Sequence, residues 1–141
     1  MKTMEIEIFE PAIQKAHVWL NEIAEELKWQ DKHKAYLALR ATLQALRDRL
    51  TLEETAHLGA QLPMLIRGVY YDGWKPDGKA VRKMDREAFL DRISGTFRND
   101  PDIDPEEVVR AVFRFLSKKV TDGEIEDIKR IMPADLRELW P

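Results

Sequence analysis

The chain has 141 residues, 44% hydrophobic and 35% charged, with a formal net charge of −3; it is long enough for one domain with a real core and too apolar for disorder. It contains no cysteine, which excludes disulfides, thiolate metal sites and cysteine nucleophiles, and its acidic balance gives no reason to expect nucleic acid. No apolar run approaches the roughly 20 residues that span a bilayer, and MKTMEIEIFEP at the N-terminus spreads acids where a secretory signal needs an apolar stretch, so a cytoplasmic protein is expected.

In chain order, the first candidate element is EIEIF at residues 5–9. It alternates like a strand but is short and has no partner to pair with. Ile13, Ala16, Leu20, Ile23 and Leu27 then step by three and four, the stripe of an amphipathic helix. Tyr36, Leu39, Leu43, Leu46 and Leu50 make a second stripe. Thr51 stands three residues before Glu54, the spacing of a capping box in which hydroxyl and carboxylate each take one orphan backbone N–H. A short third helix is therefore expected to start there.

Pro63 fits the first turn of a fourth helix, where a missing N–H costs nothing, and it biases Leu62 away from helical geometry. That helix runs into YYDGW, with Gly73 as its left-handed stop and Pro76 beyond it. Residues 75–84 read as a basic linker. Asp104-Pro105-Glu106-Glu107 is a strong helix start, with aspartate as cap and proline in the first turn. Val109, Phe113, Leu116 and Val120 mirror the second stripe, Thr121 and Glu124 repeat the capping spacing, and Pro133 opens a last helix.

The mirroring has a fixed register, the 70 residues from Pro63 to Pro133. It pairs Leu20 with Leu90, Ile23 with Ile93, Leu46 with Leu116, and Arg67 with Arg137. A tandem duplication accounts for identical residues and equivalent apolar positions sharing one offset. The expected fold is all-α, with eight short helices as two tandem four-helix repeats in pseudo-twofold relation, packed into one compact domain. The repeats span 12–74 and 85–141, joined by the linker 75–84.

The runs LRDRLTLEETAHLGAQLPMLIRGVYYDGW and DGEIEDIKRIMPADLRELWP resemble the bacterial domain-of-unknown-function 2267 family, from about Ala16 to the C-terminus. The resemblance implies an all-helical fold. It supplies no activity, cofactor or catalytic residue to carry over.

The residues themselves offer few sites. Glu54 and His57 have the E-x-x-H spacing of helical di-iron proteins, but such sites need a second E-x-x-H pair, and the equivalent of His57 is Asp127. With Glu54 already assigned to the cap, no metal or other cofactor is expected. His17 and His33 lack ligand-spaced partners. Ser94 and Ser117 lack a nucleophile elbow, and no glycine-rich phosphate loop occurs. Arg40 with Arg110, and Arg67 with Arg137, read as architectural clamps on carboxylates or helix C-terminal carbonyls. Lys75, Lys79, Arg82, Lys83 and Arg86 form a basic stretch, a solvated linker with nucleic acid or anionic lipid as its alternative use.

Tyr70 aligns with Trp140 and is expected in the core, whereas Asp72, Gly73 and Trp74 have no counterpart in the second repeat. A partner surface is therefore placed at Tyr71, Asp72, Trp74 and Lys75, against the alternative that Trp74 plugs the seam between halves. The leading functional reading is a non-enzymatic interaction or structural module, with self-association or another protein as partner. The alternative is a metal- or small-molecule-dependent enzyme using acids on facing helices.

Overall fold

The computed structural model describes residues 4–76 and 84–141. Among them the chain forms eight helices and no strand: α1 (Met4–Leu27), α2 (Lys32–Arg49), α3 (Leu52–Ala60), α4 (Met64–Tyr71), α5 (Arg86–Thr96), α6 (Pro105–Lys119), α7 (Asp122–Ile131) and α8 (Ala134–Arg137). EIEIF is part of α1, so its alternation misleads: with no neighbouring strand, the backbone groups of residues 5–9 are satisfied within a helix.

The capping residues sit where their chemistry is needed. Thr51 and Thr121 accept from the amides of Glu54 and Glu124, and Asp31, Asp85 and Asp104 cap α2, α5 and α6 in the same way. Pro63 and Pro133 are one position earlier than expected. Each is an N-cap with extended backbone (ψ 157°), because its carbonyl accepts the first intrahelical bond, from Arg67 or Arg137. Lys28 closes α1 at φ 62°, with Trp29 N–H on the Ala24 carbonyl and Lys28 N–H on that of Glu25. That is a Schellman cap carried by a lysine where glycine is usual.

Helices of the two halves interleave. α1 packs on α6 and α5 on α2, and α2 also touches α6 while α3 touches α7. Ile23, Leu39, Leu43, Leu46, Ile93, Phe113 and Leu116 are sealed between them. Trp19 meets Phe115 edge-on at 5.0 Å, and Trp140 stacks on Phe113 at 3.9 Å with planes 8° apart. Tyr70 and Trp140 are both buried, as core anchors should be. α3 and α7 begin at residues 52 and 122, α4 and α8 at 64 and 134. Among the described residues no helix is long and apolar enough to cross a membrane.

One stripe is not fully used. Ile13 was expected to face the core, yet it is 40% exposed, and Ile8 and Phe9 before it are 72% and 54% exposed. The body of the fold covers α1 only from about Trp19 onward.

Candidate functional site

The paired arginines do different work. Arg67 donates from Nε to the Gly59 carbonyl (2.8 Å) and from Nη2 to the Leu62 carbonyl (2.8 Å). Arg137 repeats this on Lys129 (3.0 Å) and Met132 (2.8 Å), each 70 residues on. A guanidinium fork thus satisfies the orphan carbonyls at the ends of α3 and α7. Arg40 and Arg110 diverge: Arg40 only approaches the Asp72 carboxylate (3.9 Å), while Arg110 binds Glu106 and Glu138.

Sequence reasoning passed over Arg47, which is 5% exposed. Its Nη1 donates to the carbonyls of Tyr70 and Asp72, both at 3.0 Å, and its Nε and Nη2 grip Asp48. Arg92 completes the cluster at 2.9 Å from Asp48. Burial pushes the Asp48 carboxyl upward, but Arg47 and Arg92 outweigh it and hold the group below its usual range. Gln44 adds bonds to the carbonyls of Val69 and Asp72. The signal was available, because Arg47 stands four residues after Leu43 on the apolar side of α2 and a charge there must find a partner.

These bonds fix the aromatic turn. Trp74 N–H donates to the Tyr71 carbonyl at 3.0 Å, Asp72 has φ −57° and ψ 126°, and Gly73 has φ 75°. Gly73 is therefore left-handed as expected, in a type II turn just past the helix rather than as the helix cap itself. Tyr71 packs against Tyr70 and against Trp74, whose ring lies 5.4 Å away. Trp74 is half-buried on Tyr71, and Asp72 and Lys75 are exposed.

Of the basic stretch, Lys79, Arg82 and Lys83 lie outside the described residues. Arg86 is not free for a phosphate: it pairs with Glu106 and Glu138 and donates to the Asp135 carbonyl.

The most chemically loaded cluster lies where α3 meets α7. Gln61 bridges the helices, donating to the Thr121 hydroxyl (3.1 Å) and accepting from the Thr121 amide (2.8 Å). With that amide occupied, Glu124 does not complete a capping box. It turns inward, 6% exposed, toward Glu54, its partner at the 70-residue offset. His57 Nδ1 is 3.5 Å from Glu54 and its Nε2 3.9 Å from Glu53. Ligand atoms of Glu54, His57 and Glu124 all lie within 4.8 Å of one another. Burial, then the facing Glu54, raises the Glu124 carboxyl to about 7. The E-x-x-H pair of the sequence is thus joined by a third ligand, a second carboxylate that the sequence alone left at a distance, while Asp127 stands near Glu124 as a further negative charge.

A family model described as "Uncharacterized conserved protein (DUF2267)" matches residues 16–139. No curated protein matches the chain.

Proposed function

The chain belongs to that uncharacterized conserved DUF2267 family, and from this premise we propose that it is a non-enzymatic interaction module of the bacterial cytoplasm that pairs with a second copy of itself through the first half of α1. The supporting observation is the bare apolar stripe. Phe9, Ile13, Ala16, Leu20, Ile23 and Leu27 alternate by four and three residues, the 3.5-residue period of a coiled-coil seam. Ile23, on the same stripe, is sealed in the core, whereas Phe9 and Ile13 are open. The uncovered stretch continues an existing helix–helix interface, and a second α1 offers the same face in the same period.

A tandem duplication supports this choice of surface. α1 is 24 residues long and α5, its counterpart at the 70-residue offset, only 11. α1 packs on α6 and α5 on α2, equivalent contacts at the 70-residue offset, so the scaffold accounts for the shared length. Among the described residues no counterpart covers the N-terminal extension. Ile8, Phe9 and Ile13 from two copies contribute on the order of 6–9 kcal/mol at their remaining exposure. Association entropy takes at least about 4 kcal/mol of that, which leaves about 2–5 kcal/mol, a weak reversible dimer with Kd on the order of 1 mM.

Sedimentation equilibrium at protein concentrations up to roughly 1 mM tests this. The wild type is expected to dimerise, and Phe9→Asp with Ile13→Asp to stay monomeric with unchanged helicity. A wild type that is monomeric throughout, and binds anionic vesicles through the same residues instead, contradicts the reading.

The Tyr71–Lys75 turn is the second surface, favoured by a Trp74 ring that rests on Tyr71. Trp74→Ala separates it from a structural role. Lost dimerisation at an unchanged melting temperature assigns the turn to the interface; a large drop in melting temperature assigns it to the seam.

A further inference from the structure

We propose that Glu54, His57 and Glu124 bind a first-row divalent cation such as Zn2+ or Mn2+ between α3 and α7. Two carboxylates and one imidazole converge there, with ligand atoms within 4.8 Å of one another. Bound Zn2+ or a similar ion holds such atoms at about 2.0–2.2 Å, so the three must draw in by about an ångström, a distance that small side-chain rotations cover. The mixed oxygen and nitrogen set suits borderline ions, whereas Mg2+ and Ca2+ prefer oxygen alone.

The second observation is independent of the clustering. Glu124 is more than nine-tenths buried and has a carboxylate oxygen with no hydrogen-bond partner, as does Glu54 across from it. Buried acceptors facing each other need either a shared proton or a cation between them. Most of the charge-bearing groups around them are of the wrong sign: Glu53 lies beside His57 and Asp127 beside Glu124. Arg130 is already paired with Asp127 and Lys129 with Glu126. His57 is half-exposed (52%), which gives an ion a way in from solvent.

The capping threonines and the Gln61 bridge hold both helix starts without help from these carboxylates. The two glutamates are thereby released from the structural task their spacing suggests. The site is also separate from the α1 surface, so dimerisation and metal binding stand or fall independently.

The test uses the full chain stripped with EDTA and titrated calorimetrically with MnCl2, ZnCl2 and MgCl2, with the Mn2+ signal followed by electron paramagnetic resonance. One Mn2+ or Zn2+ per chain is expected, with far weaker Mg2+ binding. His57→Ala removes an exposed ligand without touching the core and should weaken binding at least about tenfold, since even outer-shell losses cost that much. Glu124→Gln should weaken it further, and His17→Ala should leave it unchanged. No binding by the wild type overturns the proposal. So does binding that survives both Glu124→Gln and His57→Ala, or that falls with His17→Ala, which would mark an adventitious surface ion only.

Discussion

Replacing Arg47 by methionine should cost about 3–5 kcal/mol, the usual penalty for removing one partner of a buried charge pair. Four bonds go with the guanidinium: two to the carbonyls of Tyr70 and Asp72 and two to Asp48. Methionine fills much of the volume, so the loss is electrostatic rather than a cavity. Asp48 keeps Arg92 at 2.9 Å, which places the expected value toward the lower end of that range. Urea unfolding at neutral pH measures it. The pH dependence carries a second signature. With its folded pKa lowered, wild-type Asp48 contributes stability that is present above its unfolded value near 3.8 and is lost only as pH falls below that. In Arg47→Met burial is opposed by Arg92 alone, so the folded pKa rises and the acid limb of the stability curve moves to higher pH. A loss under about 1 kcal/mol, with an unmoved acid limb, would show that Arg47 does not hold the end of α4 in place.

Lys28→Gly should stabilise the protein by about 0.5–1 kcal/mol, because the left-handed φ of 62° strains any residue with a Cβ; a decrease in thermal stability would count against the Schellman assignment. Gly59→Ala would drive its Cβ into the hydroxyl end of Tyr71. Tyr71 is partly buried and the clash is with the far end of its side chain, so the expected cost is about 1–2 kcal/mol, with a red shift of tryptophan emission as Tyr71 leaves Trp74; no change in emission argues against the contact. Glu124 titrates near 7 in the folded chain against 4.5 as its ordinary value. In EDTA, its contribution is therefore full below pH 4.5 and is lost as pH rises through about 7. Glu124→Gln should flatten that limb, and an unchanged pH profile would mean that Glu124 is solvated.

The sequence carried the helices because local chemistry specifies them. Thr51, Thr121, Asp104 and the prolines act on neighbouring amides, so their spacing is sufficient to read. What failed to show lies between distant residues. Arg47 was legible only as a misplaced charge, since its acceptors on Tyr70 and Asp72 come from another helix. Glu54 and Glu124 shared a register, yet only packing of α3 on α7 turns that register into contact, and the capping spacing suggested a different task for both. The helical state of residues 5–9 was hidden by a true alternation that no second strand was present to use. Ile13 shows the converse: periodicity identifies an apolar face and says nothing about how far along the helix the core reaches.

Because the chain has no cysteine, one engineered thiol can report directly on the pairing of α1. Ile13→Cys places it on the stripe and Gln14→Cys about 100° further round the same turn. Each variant is treated with a short bismaleimide near the expected Kd, and the fraction of covalent dimer is read on a denaturing gel. Efficient dimer is expected from Ile13→Cys and little from Gln14→Cys. Equal cross-linking from both positions, or none from Ile13→Cys, would contradict that pairing.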